Sequence, residues 1–107
     1  FFEGLLHDLH FGTASGSSCA PGLEQAVVGV ARAQDRFSIA VNGRFKGGYI
    51  TRHFGQPANN VHAIQLEMAQ CLYMDEAPPF AYRPGHAHDV QGVLQQMMEA
   101  AVNWVRA

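Results

Sequence analysis

Residues 36–66 contain no aspartate or glutamate, yet Arg36, Arg44, Lys46 and Arg52 all fall among them. Asp35 and Glu67 close the stretch at its two ends. Guanidinium forks grip carboxylates through paired, charge-assisted hydrogen bonds, so the pattern suits a small anionic ligand. It equally describes a solvated face whose acidic partners arrive from elsewhere in the fold, and charge alone favours that plainer reading.

Glu67 stands near the carboxyl end of a predicted strand that is otherwise rich in apolar residues. In open α/β sheets ligands collect outside the carboxyl ends of strands, and a carboxylate emerging there can serve as a general base. Pairing with one of the arginines is the structural alternative, and the residues alone leave both open. Gly43, Gly47, Gly48 and Gly55 surround the arginines and permit tight turns or close backbone approach. Their spacing is neither that of a phosphate-binding loop nor that of a dinucleotide fingerprint.

Other chemistries are less supported. Of the six histidines, His7 and His10 are three apart and His86 and His88 two apart, while His53 and His62 lie on the central segment. None forms a zinc-protease motif, and there is no Cys/His quartet, so a zinc site made only from this chain is not expected. His86 and His88 fall in a Pro/Gly-rich turn and read as exposed. Cys19 and Cys71 have no local activating pattern, and Ser17-Ser18-Cys19 is no nucleophile elbow. Met68, Met74, Met97 and Met98 read as core filling.

The elements that must position these residues follow from periodicity. The small polar run 12–18 predicts a loop. Pro21, followed by apolar residues at 23, 26, 27 and 30, predicts a helix over 20–34. Phe37, Ile39 and Val41 alternate with polar or small residues, a strand that Asn42-Gly43 ends. Tyr49-Ile50-Thr51 suggests a short extended segment, and 55–60 a loop. Over 61–68 the alternation returns, with Ile64, Leu66 and Met68 facing one way and Gln65 and Glu67 the other. Apolar residues at 90, 93, 94, 97, 98, 101, 102 and 105 mark a terminal amphipathic helix, with Asp89 as its expected N-cap. Residues 7–10 read as a lead-in loop. The order helix, strand, strand, helix suggests an α/β layer architecture with too few strands for a complete doubly wound sheet.

Composition bounds the partners. The 107 residues are 48% apolar and 15% charged, which excludes intrinsic disorder. The longest apolar run is the six-residue stretch Ala26–Ala31, far short of the roughly 18 residues that span a membrane. A net charge of −2 argues against non-specific binding to nucleic acid. Two cysteines without a framework favour a reducing compartment, hence the cytoplasm. The chain opens Phe1-Phe2-Glu3 without Met, which suggests a piece of something longer.

The run Asn42-Gly43-Arg44-Phe45-Lys46-Gly47-Gly48-Tyr49-Ile50-Thr51-Arg52-His53-Phe54-Gly55, then His62-Ala63-Ile64-Gln65-Leu66-Glu67 and Tyr73-Met74-Asp75-Glu76, closely resembles the N-formylglutamate amidohydrolase (N-formylglutamate deformylase) family. Phe2-Glu3-Gly4, Gly12-Thr13 and Ser18-Cys19 fit the same pattern. The chain departs from it at His7, where Pro is usual, and at His10, where Asn is common. The resemblance covers nearly the whole chain and maps to the C-terminal part of a family member.

That resemblance implies an α/β, carboxypeptidase-like (zinc-peptidase-like) three-layer fold, with residues 1–107 the C-terminal portion of a single amidohydrolase domain. It implies a zinc hydrolase that cleaves N-formyl-L-glutamate to formate and L-glutamate in histidine degradation. The zinc ligands are expected upstream of this chain, so the isolated piece is expected to be inactive. Glu67 matches the catalytic glutamate of carboxypeptidase-type enzymes. Arg52, and less surely Arg44, would hold substrate carboxylates or offset oxyanion charge, and Asn42, Thr51 and His53 would line the pocket. The expected partners are a small anionic N-acyl amino acid and the missing N-terminal part of the same domain. The alternatives are a non-catalytic dicarboxylate-binding module and a zinc hydrolase of another N-acyl amino acid.

Overall fold

A computed structural model describes residues 6–107 of the chain. In order the elements are β1 (Leu9–Gly12), α1 (Pro21–Gln34), β2 (Ile39–Val41), α2 (Tyr49–Phe54), β3 (Gln65–Met68) and α3 (Pro84–Arg106), with 3-10 turns at Pro57–Asn59 and Gln70–Leu72. The strands form one sheet in the order β2-β1-β3. β1 runs parallel to β2, with Leu9 opposite Ile39, and antiparallel to β3, with His10 opposite Glu67.

Because strand side chains alternate, this register sorts the sheet into two unlike faces. Leu9, Phe11, Ile39, Val41, Leu66 and Met68 share the apolar face and pack into the core. His10, Gly12, Ala40, Gln65 and Glu67 share the other. Helices α1 and α3 supply the rest of the core through Leu23, Val27, Val28 and Ala31, and through Val90, Val93 and Met97. Each such large apolar side chain stabilises the fold by about 1.5–3 kcal/mol on burial.

Helix α1 lies close to its expected bounds, with Pro21 in its first turn. Three local expectations give way. The central strand β1 occupies what reads as a lead-in loop: Leu9-His10-Phe11-Gly12 offers only two alternating apolar positions, and pairing on both edges makes it a strand. Tyr49-Ile50-Thr51 is the start of α2 rather than an extended segment. Its β-prone residues pair with no strand, and Thr51 is buried in the helix, so context overrides propensity. Helix α3 begins at Pro84, where a missing N–H costs nothing, so Asp89 lies inside the helix and pairs with Arg36 at 3.1 Å. Ahead of α3, Arg83 grips Asp75 through two hydrogen bonds of 2.8 and 2.6 Å. That guanidinium holds the Asp75 carboxyl below its ordinary range.

Of the four methionines, Met97 is buried and Met68 packs against the core, whereas Met98 is 64% exposed and fills nothing. Both cysteines are free, Cys19 buried and Cys71 exposed. Among the described residues, no helix is long and apolar enough to cross a membrane.

Candidate functional site

The polar face of the sheet is crossed by the loop that joins β2 to α2, and the absence of one side chain lets it do so. A Cβ on Gly12 would stand 2.6 Å from the Lys46 carbonyl carbon and 2.7 Å from the Gly47 nitrogen. The peptide between Lys46 and Gly47 therefore rests directly on the central strand, and the Ala14 N–H donates to the Lys46 carbonyl at 2.7 Å. Gly47 then turns at φ 113°, a left-handed value that other residues adopt at a cost.

The beginning of the loop is pinned by Asn42. Its Oδ1 accepts from the Thr13 N–H at 2.9 Å, and its Nδ2 donates to Thr13 Oγ1 at 2.8 Å. Thr13, fully buried, donates a hydrogen bond from its own hydroxyl to Glu24 Oε1 of α1 at 2.8 Å. Asn42 thus spends its amide on holding the loop to the end of β1.

Glu67 is exposed on this face, and Gln65 reaches it along the same strand, Nε2 to Oε1, at 3.0 Å. The other end of the Gln65 amide accepts from the Gly48 N–H at 2.7 Å and from Thr51 Oγ1 at 3.4 Å. Arg52, one residue along α2 from Thr51, donates to the Gly47 carbonyl at 3.0 Å. Glu67 and Arg52 are therefore tied to one peptide segment, Gly47-Gly48, from its two sides. Among the described residues the ion pairs are Arg36–Asp89 and Arg83–Asp75, so Glu67 is held by an amide and not by an arginine salt bridge.

The remaining candidates scatter around this centre. Arg44 is exposed on the loop. Thr51 is buried, with its hydroxyl turned to Gln65. His53 is exposed and stacks on Tyr49, ring centroids 4.9 Å apart. Arg36 leaves the basic group, since Asp89 partners it from α3. That is the arrangement in which acidic partners arrive from elsewhere in the fold. Phe2-Glu3-Gly4 lie outside the described residues.

Gln65 was legible only indirectly, through the alternation that puts it on the face of Glu67. His10 was missed with its strand. It stands opposite Glu67 in the register, only 5% exposed, and neither ring nitrogen has a hydrogen-bond partner among the described residues. Its ring instead meets Phe45 edge-on, centroids 5.0 Å apart. No group of three or more His, Cys, Asp or Glu side chains among the described residues could hold a metal ion.

Cavities lie elsewhere in the fold. One of about 670 Å³ is bounded by Ala20, Pro57, His62 and Trp104, near the end of α3. Another, about 390 Å³ and mostly apolar, opens between β3 and α3 against Phe11, Ile64, Leu66, Met97 and Met98.

A mixed three-stranded sheet packed on helices, with a hydrogen-bonded carboxylate and an arginine tied to one glycine-rich loop, defines an α/β fold with one polar, charged face. The family model for N-formylglutamate amidohydrolase matches residues 1–74, and the chain belongs to that family. It is 49% identical over 105 residues to an N-formylglutamate deformylase of Pseudomonas aeruginosa, covering 98% of this chain and 40% of the relative. It is 48% identical over 103 residues to one of Pseudomonas putida, covering 96% of this chain and 39% of that protein. Its fold matches the crystal structure of N-formylglutamate amidohydrolase from Ralstonia eutropha JMP134, with a TM-score of 0.82 and 26% identity over 99% of this chain and 37% of that one. The chain thus spans about 40% of the length of the curated relatives.

Proposed function

We propose that this chain is the C-terminal portion of a single α/β amidohydrolase domain of carboxypeptidase-like, three-layer architecture. In that domain it would supply the general base for hydrolysis of N-formyl-L-glutamate to formate and L-glutamate, a step of histidine degradation. The observation that carries the reading is the placement of Glu67. It stands on the polar face of the sheet, hydrogen-bonded through Gln65 to the loop and helix that bear Arg44 and Arg52. In this role Glu67 takes a proton from the attacking water as oxygen adds to the formyl carbon. It returns that proton to the amine nitrogen as the C–N bond breaks, leaving formate and glutamate. Arg52 and Arg44 hold the two substrate carboxylates, the task for which guanidinium geometry is suited. Asn42 keeps the loop in place, and Thr51 and His53 on α2 border the pocket.

Zinc belongs to the proposal, but not to this chain. Its ligands are placed in the part of the longer protein upstream of this chain, as the family resemblance implies. The apolar groove between β3 and α3 supports the domain assignment. It is walled in part by the half-buried Ile64, Leu66 and Leu94 and the exposed Met98, apolar surface that a larger domain would cover. Two free cysteines suit a cytoplasmic enzyme.

The test is Glu67→Gln in the full-length protein, assayed by formate release. An amide cannot accept the proton, so turnover should fall about 100- to 10,000-fold with folding intact. Near-normal turnover would sink the assignment. Comparing N-formyl-, N-acetyl- and N-succinylglutamate separates deformylation from hydrolysis of another acyl group. Binding of N-formylglutamate without hydrolysis would support a dicarboxylate-binding module instead.

A further inference from the structure

We propose that Gln65 is a positioning residue that fixes the general base relative to the substrate-binding arginine. This rests on the reading of Glu67 as base. The polarity of the Gln65 amide is set by its neighbours. A backbone N–H can only donate, so the group facing Gly48 at 2.7 Å must be the carbonyl oxygen, and Thr51 Oγ1 reinforces it at 3.4 Å. The NH2 group is thereby turned to Glu67 Oε1 at 3.0 Å, where an ionised carboxylate can only accept.

Three further contacts give the arrangement a rigid footing. The Lys46-Gly47 backbone lies against Gly12 of the central strand with no room for a Cβ between them. Arg52 donates to the Gly47 carbonyl at 3.0 Å, one residue from the N–H that anchors Gln65. Thr51 is 4% exposed, so the α2 end of the connection is buried. Gln65 is the side chain through which the carboxylate is registered to this segment. Without it, Glu67 on its exposed strand samples its rotamers independently of Arg52. A misplacement of about 1 Å between a base and a bound substrate can cost about 100-fold in rate.

Two substitutions in the full-length protein separate positioning from simple loop support. Gln65→Glu keeps an oxygen for the Gly48 N–H and Thr51 hydroxyl but removes the donor to Glu67, whereas Gln65→Leu removes both. Both variants should lower kcat about 10- to 100-fold with KM changed less than about threefold. In a Glu67→Gln background Gln65→Leu should add almost nothing, because the two residues act as one unit. Gln65→Glu within about threefold of wild-type kcat would overturn the proposal, as loop support alone would then suffice. So would equal losses from Gln65→Leu with and without Glu67, the mark of a general structural effect. If Gln65→Leu fails to fold, Gln65→Glu decides alone. Failure of the base assignment itself is seen separately, as retained turnover in Glu67→Gln.

Discussion

Replacing Gly12 by alanine would test whether the central strand and the functional loop are in direct contact. The added Cβ would stand 2.6 Å from the Lys46 carbonyl carbon, 2.7 Å from the Gly47 nitrogen and 2.9 Å from the Lys46 oxygen. All three are backbone atoms, so no side-chain rotation relieves the clash. Gly12 is buried in β1 and paired with Gln65, and the strand cannot easily yield. Overpacking of this kind costs about 1–3 kcal/mol. As the loop shifts to relieve the clash, the 2.7 Å bond from the Ala14 N–H to the Lys46 carbonyl is lost as well, adding about 1 kcal/mol. The expected total is about 2–4 kcal/mol, read as a lowered urea midpoint with unchanged slope in the full-length protein. Gly92→Ala is the matched control. Gly92 is exposed in α3 with nothing within 4 Å of an added Cβ, so alanine there should stabilise by about 0.5–1 kcal/mol. A Gly12→Ala protein within about 0.5 kcal/mol of wild type would refute the contact as the reason for glycine at this position.

The buried thiol of Cys19 makes a pH-dependent prediction. Burial, with the charge of Glu24 adding to it, pushes this thiol up from its ordinary value. The unfolded chain loses that proton first, near pH ~8.5, so the stability contribution is complete below that pH and is lost as pH rises towards the folded value. Urea midpoints should fall between pH 7 and pH 10, and Cys19→Ala should flatten that fall. A decline equally steep without the thiol would place its cause elsewhere. In the native protein a maleimide should modify the exposed Cys71 first and Cys19 only on denaturation, as peptide mass mapping would show.

Legibility in the sequence tracked how far each element depends on its own residues. Helix α1 and the body of α3 carry their apolar stripes locally, and β3 carries its alternation, so their places and inward faces could be read directly. The two faces of 64–68 came out as the alternation required, with Gln65 and Glu67 away from the core. The start of α3 was misjudged by six residues because Pro84 opens the helix ahead of the apolar stripe, and Asp89 serves Arg36 instead of a cap. β1 was illegible for a different reason. Four residues with a histidine between two apolar side chains have no period long enough to detect, and only the strands on either side settle their conformation.

The candidate site divides along the same line. The acid-free basic stretch, the glycines and Glu67 are properties of residue type and order, and the sequence by itself determined them. The loss of Arg36 from the group was a tertiary matter: a residue 53 positions away, Asp89, pairs with it. The neighbour of Glu67 was tertiary too, since Gln65 could as well have faced solvent had the Gly47-Gly48 loop not come down onto Gly12. Residue order can specify a carboxylate and its face, because those follow from covalent alternation along one strand. The hydrogen bonds that orient Gln65, and through it the carboxylate, join segments separated by 14 and 17 residues, and only the closed fold brings them within reach.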